Sequence, residues 1–168
     1  MKKLYIIFFT IILSTNLYSQ EYKYGFGARL GFSNGLSAKA FVYADESKYM
    51  AVEGIIGVRF GGYNFTGLFQ VQKEFHIAGM RYATLYYYAG FGGHLGSYDP
   101  ILYERAHLLP YSGANILSVG ADGVAGLEYV FADFPVTVGI DFRPYIDLIN
   151  PSVNFFDAGL TLRYCIKN

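Results

Sequence analysis

The sequence has no tryptophan, a single cysteine and few charges. Charged residues are 15% of its 168 residues, against roughly a quarter in an ordinary soluble domain. That leaves too few groups to hydrate a conventional exterior. Cys165 alone cannot close an internal disulfide, which excludes a small stapled scaffold. An excess of either sign is also missing, because 13 Lys plus Arg stand against 13 Asp plus Glu. Such a chain projects no long-range field, and no nucleic-acid partner is expected. Helical patterning is lacking too: after Gln20 no window holds the i, i+3, i+4, i+7 apolar spacing for more than two turns.

What is present begins with a leader. Lys2 and Lys3 form a basic start, Leu4 to Leu13 is nearly all apolar, and Leu17-Tyr18-Ser19 precedes Gln20. This reads as a signal peptide over 1–19, cleaved after Ser19, with 20–168 as one mature domain. The apolar run of about ten residues is too short for the roughly 20 a spanning helix needs. No cysteine near the cleavage point offers a site for a lipid anchor.

Beyond Gln20, apolar and polar residues alternate with period two, the spacing of strands. Eight strands are expected, near 22–32, 36–43, 49–60, 65–75, 80–94, 116–131, 136–143 and 155–165. Ser33-Asn34-Gly35, Gly61-Gly62-Tyr63-Asn64 and Ala132-Asp133-Phe134-Pro135 are among the turn signals. Only Leu95 to Asn115 and Pro144 to Asn154 are read as longer connections. Both fall on the end opposite the chain termini, where membrane barrels keep their long loops.

The two faces differ sharply. In the last strand Phe156, Ala158, Leu160, Leu162 and Tyr164 share one face, and Asp157, Gly159, Thr161 and Arg163 share the other. Across all strands the polar face collects Lys23, Arg29, Lys39, Arg59, Arg143 and Arg163 with Glu53, Glu74, Asp122, Glu128, Asp141 and Asp157.

Periodicity alone does not decide whether the apolar face points outward, as in a membrane barrel, or inward, as in a soluble lipocalin-like barrel. Three features favour the membrane. Glycines such as Gly25, Gly27, Gly120, Gly126, Gly139 and Gly159 crowd the polar face, as a narrow barrel interior requires. The polar face is sparse and neutral, which suits a closed interior. Aromatic residues collect near strand ends on the apolar face, as Tyr22, Phe32, Phe60, Phe65, Phe75, Phe91, Phe131 and Tyr164, where interface girdles belong. The expected fold is therefore all-β, an eight-stranded antiparallel up-and-down transmembrane β-barrel.

The terminal strand, with Asp157, Gly159, Leu162 and Tyr164 at alternating positions, resembles the insertion signal of outer-membrane barrels, although Cys165-Ile166-Lys167-Asn168 follow the aromatic. Gly92-Gly93-His94-Leu95-Gly96, Gly123-Val124-Ala125-Gly126-Leu127-Glu128-Tyr129 and Asp141-Phe142-Arg143-Pro144 resemble segments of small, functionally uncharacterised outer-membrane barrels of the OmpX and OmpA transmembrane-domain type. That resemblance implies an outer-membrane location in a Gram-negative cell. It also implies a lipid bilayer and lipopolysaccharide as surroundings, the barrel-assembly machinery as a partner during insertion, and a monomer.

The interior charges are expected to pair into a structural network, since eight strands leave a lumen just wide enough for side chains and no open pore. Surface interaction is expected at His94, Tyr98, Asp99, Tyr103, Glu104, Arg105, His107 and Tyr111, with Asp99 capping a short helix that Pro100 opens. A barrel enzyme modifying lipid A or phospholipid is the alternative, resting on His94, Ser97 and Asp99 or Glu104 near one strand end. A soluble periplasmic ligand-binding barrel is the other. His76 and His107 fall at opposite ends, so no metal site is expected; no cofactor and no catalytic residue is assigned.

Overall fold

The computed structural model describes residues 22–45, 48–75, 83–102, 116–149 and 156–166. The leader expected over 1–19 lies outside them. Eight strands follow in order: β1 (Tyr24–Gly31), β2 (Asn34–Asp45), β3 (Lys48–Arg59), β4 (Gly62–Phe75), β5 (Ala83–Tyr98), β6 (Ile116–Phe131), β7 (Val136–Ile149) and β8 (Phe156–Ile166). Each pairs antiparallel with its neighbour in sequence, and β1 closes on β8 through eight residue pairs, from Tyr24↔Ile166 to Gly31↔Gly159. Closure pairs every strand with a neighbour on both sides and leaves no edge strand. Among the described residues no helix is long and apolar enough to cross a membrane, which says nothing against strands doing so.

Burial is inverted relative to a soluble domain. Leu36 is 70% exposed and Phe91 68%, whereas Arg29 is 0% and Arg163 1% exposed. Along β8 the strict alternation turns Asp157, Gly159, Thr161, Arg163 and Cys165 into the lumen and Phe156, Leu160, Leu162, Tyr164 and Ile166 outward. On the β3–β6 side the lumen also takes apolar residues, because Ile55, Leu68, Tyr88 and Val124 pack there as a small buried cluster.

Several expected boundaries shift. β5 continues to Tyr98 and β7 to Ile149, so the connections are 99–115 and 150–155. β7 runs through Pro144, although proline lacks the donor a ladder needs. Here Pro144 points outward opposite Phe156, and the β6–β7 ladder skips Gly123 and Val124 beside it. A side chain at Gly123 would lie 3.3 Å from the proline ring, so the glycine makes room for it.

Two expected girdle residues are not on the outer face. Tyr22 precedes β1, escapes its alternation and is 3% exposed inside the lumen. Phe60 occupies the β3–β4 turn with φ of 47° and packs edge-on against Tyr98, ring centres 5.6 Å apart.

Candidate functional site

The polar face of the strands converges in the lumen into two groups of charges. The first lies nearer the end carrying the chain termini. Arg163 of β8 reaches across to Glu53 of β3 and to Glu128 of β6, the latter at 3.0 Å. Lys39 of β2 meets the same Glu128 at 3.1 Å and donates to Gln72 at 2.6 Å. Ser37 and Gln70 each donate to Glu53 at 2.6 Å, Arg163 Nε donates to Ser37 at 2.9 Å, and the Tyr22 hydroxyl donates to Glu128. Two cations and two carboxylates thus cancel within one desolvated cluster, and several remaining lone pairs are met by neutral donors. These are the conditions under which buried ions are tolerated.

The second group lies towards the opposite end. Arg29 of β1 binds Asp141 of β7 at 2.6 Å and Asp157 of β8 at 3.2 Å, and its Nη1 also donates to the Ser33 carbonyl at 3.0 Å. Arg143 pairs with Asp157, its directly opposite residue across β7 and β8. Ser33 donates to Asp157 as well. Beyond it, His94 of β5 contacts Asp122 of β6 through Nδ1 and Asp147 of β7 through Nε2, both at 2.7 Å.

Glycine and bulk are arranged in complement. A side chain added at Gly159 would lie 2.7 Å from the Arg29 guanidinium carbon, at Gly120 2.4 Å from the His94 ring, and at Gly126 2.5 Å from the Tyr88 ring. Tyr88↔Gly126 and His94↔Gly120 are direct cross-strand pairs. The inward glycines therefore act as seats for large polar or aromatic groups from adjacent strands, which is how a narrow lumen holds four fully buried long cations.

Two members of the anticipated network, Lys23 and Arg59, lie elsewhere, and Glu74 is at the terminal end. Lys23 is exposed, with its ammonium 5.6 Å from the Tyr24 ring, because it precedes β1 in the bend that turns Tyr22 inward. Arg59 is half-buried at the opposite rim, donating to the Tyr145 hydroxyl at 2.7 Å and stacking on Phe60 and Tyr145. Glu74 is half-buried at the terminal end, where it lines the same space as Tyr22 and Gln72.

The surface-interaction group also divides. His94 and Tyr98 are 7% and 4% exposed within β5, so both belong to the lumen and not to a surface loop. Longer strands carry them inside: residue 98 has inward parity, and it packs against Ile116. Asp99 accepts from the amides of Ile101 at 2.9 Å and Leu102 at 3.2 Å, capping the helical turn that begins at Pro100. Its own amide donates to the Phe60 carbonyl at 3.1 Å, tying this start to the β3–β4 turn. Tyr103, Glu104, Arg105, His107 and Tyr111 lie outside the described residues.

The enzymatic grouping separates as well, since Ser97 faces outward while His94 faces inward. Ser118 of β6 instead lies 3.3 Å from His94 Nε2, giving a serine, histidine and aspartate in contact. The chemistry does not follow from that order. Ser118 donates to Asp147 at 2.7 Å, and both ring nitrogens of His94 are held by carboxylates, so no nitrogen is left to accept a proton from a nucleophile. The cluster ties β5, β6 and β7 together.

Ser33, Ser37, Gln70, Gln72, Ser118, Asp147 and Tyr22 were not anticipated. Gln70 and Gln72 share the inward parity of Glu74, so alternation within β4 was a usable signal for them. Asp147 falls within Pro144 to Asn154, the stretch expected to be a connection.

No model of a known protein family matches the chain, and no curated protein sequence matches it. Among solved structures, the chain is similar to the N-terminal beta-barrel domain of Pseudomonas aeruginosa OprF. The TM-score is 0.51 at 13% identity, over 84% of this chain and 93% of that one. The likeness is one of fold: a closed eight-stranded antiparallel barrel.

Proposed function

We propose that this chain is an integral outer-membrane β-barrel with a structural or surface-interaction role and no open pore. The observation that carries the reading is the inverted burial, with Leu36, Ile56, Phe91, Leu95, Leu148 and Leu160 exposed around the barrel and arginines sealed inside. In water this outside would be a continuous apolar surface far beyond what soluble proteins tolerate; in a bilayer it is the required one. Seven of the eight strands, at 11 to 16 residues, are long enough for a tilted crossing, which needs about 9–11, while β1 has 8; the two longest, β5 and β6, extend towards the end where surface contacts would form. Export by a leader cleaved after Ser19, insertion by the barrel-assembly machinery, a bilayer with lipopolysaccharide, and a monomeric OmpX-like state complete the proposal. The fold shared with the OprF barrel supports it.

Fractionation tests the location. The mature chain is expected in the outer-membrane fraction, and its release in a soluble osmotic-shock fraction would sink the reading. A second measurement probes the face assignment. Leu160→Arg puts a charge on the lipid-facing side and is expected to cost about 2–4 kcal/mol if that position is near the midplane, read as a lower urea midpoint in vesicles. An unchanged midpoint would mean the outward face does not meet lipid. Purified barrel in a planar bilayer is expected to show no sustained conductance, because Arg29, Arg143, Arg163, Lys39 and Gln70 fill the lumen. Steady ohmic channels would overturn the closed-lumen part.

A further inference from the structure

Alternation fixes which residues of β2 to β6 face outward, but it does not require one row of them to be small. Ala38, Gly54, Gly67, Gly93 and Ala121 face outward, and each is directly paired with the next, so five neighbouring strands present only hydrogen or methyl at one level. Two residues nearer the 99–115 end, Leu36, Ile56, Phe65 and Leu95 pair in the same way into a ridge, each 51–70% exposed. On the other side Val52, Phe69 and Phe91 form a second ridge, with the Phe69 and Phe91 ring centres 5.9 Å apart. Phe26 pairs with Ala38 and Ile146 with Ala121, so a bulky residue closes each end of the row. Together they shape a groove. Its part between Phe26 and Phe91 measures about 500 Å³, and a Cβ at Gly54 or Gly67 would meet nothing within 4 Å.

No residue of this floor, its ridges or its ends has a polar side chain, so the groove offers hydrocarbon contact and no side-chain hydrogen bond. It runs from β2 to β6, half of the way around a closed barrel of eight strands. A second barrel touches a cylinder along a line and cannot follow that course; a thin flexible chain can. Four inter-strand steps of about 4.8 Å make the floor roughly 19 Å long, comparable to the roughly 15 Å that one leaflet contributes to a hydrocarbon core. One acyl chain has that length, and it would lie obliquely, because paired rows climb the wall of a barrel with tilted strands. Lipid gains nothing by leaving lipid, so packing alone holds such a chain: it touches the floor and both ridges, where elsewhere it meets the wall on one side. The floor also has a side. Gly67 is five residues from the start of β4 at Gly62 and eight from its end at Phe75, and Gly93 is five from the end of β5 at Tyr98. It therefore lies towards the 99–115 end, in the leaflet there.

We propose that this groove holds one acyl chain of a lipid from that leaflet, which under the outer-membrane reading on which the proposal rests is lipopolysaccharide.

The test uses the full chain, deuterated except at its amides, in nanodiscs of chain-deuterated phosphatidylcholine with a minor share of protiated lipid A, so that only lipid A chains give nuclear Overhauser contacts. Contacts to the amides of Gly54, Gly67 and Gly93 are expected to be about tenfold stronger than to that of Leu160 on the opposite wall, as for a site that favours the chain tenfold. Gly54→Leu combined with Gly67→Leu fills the groove where a side chain has room. That variant is expected to keep heat-modifiable mobility and to bring the contacts at Gly93 down to the Leu160 level. Equal contacts at the glycines and Leu160 in the parent, or Gly93 contacts that survive in the folded variant, would overturn the proposal. So would finding the enriched chain on phosphatidylcholine when the labels are exchanged, or contacts to the glycines from an admixed protiated copy of this chain. Lipid contacts missing at Leu160 as well would overturn the membrane reading itself, and the groove with it.

Discussion

Arg163→Ala is expected to destabilise the barrel by about 3–5 kcal/mol, the usual cost of removing one partner from a buried ion cluster. Arg163 is 1% exposed and holds Glu53 and Glu128 together across the lumen. Without it, two buried carboxylates face one cation, Lys39, which lies 3.1 Å from Glu128. Glu53, Glu128 and Lys39 are all buried, so folding must either desolvate an unbalanced carboxylate or protonate it. Equilibrium unfolding in urea, in vesicles or micelles, reads the loss. The exposed Lys73→Ala is the control and is expected to stay within about 0.5 kcal/mol of the parent. Replacing Arg163, Lys39, Glu53 and Glu128 together by apolar residues of similar volume should cost far less than Arg163→Ala, because no charge is then left without balance. A single variant as stable as the parent would show that the cluster does not close around Arg163.

Gly27→Val is expected to prevent closure of the barrel. Gly27 lies at the seam, paired with Arg163 of β8 and Ser37 of β2. A Cβ there would stand 1.8 Å from the Leu162 carbonyl oxygen and 2.6 Å from the Arg163 Cα. Both are backbone atoms of the closing strand, so no rotamer change relieves the contact and β8 must move away. The loss should be on the order of 4 kcal/mol or more, at the extreme of single substitutions, because the last strand pair and the ion cluster seated behind it are disturbed together. Heat-modifiable mobility on gels checks this: the parent runs as a compact band until boiled, and the variant is expected to run unfolded throughout. A compact band for Gly27→Val would mean the seam tolerates a side chain. Gly54→Ala makes a fitting comparison, since a Cβ at Gly54 meets nothing within 4 Å, and it should fold normally.

The contrast between these two glycines also separates what was legible in the sequence from what was not. Period-two alternation is a local property, so the strand count and the shared face of Arg29, Lys39, Glu53, Asp122, Glu128, Asp141, Arg143, Asp157 and Arg163 could be read from it, and the glycines crowding that face pointed it inward. Where alternation stops being a guide, the reading failed. Tyr22 and Lys23 lie before β1 begins, Phe60 sits in a turn with positive φ, and Pro144 passes through a strand by facing outward. Each of those positions is governed by how the chain enters or leaves the ladder.

By itself, then, the sequence determined an all-β chain of eight strands with one apolar and one polar face, because side-chain direction in a strand depends only on position along it. Partnership was decided by the tertiary structure. Arg163 meets Glu53 and Glu128 from strands three and two places away around the barrel, Lys39 meets Glu128 across four, and His94 meets Asp147 because β7 runs six residues beyond its expected end at 143. Those contacts depend on closure, strand tilt and register, which bring distant inward positions to one level of the lumen. The space at the terminal end lined by Tyr22, Phe41, Tyr49, Tyr86 and Phe131 likewise has no counterpart in any local pattern, since these rings come from β2, β3, β5, β6 and the segment before β1.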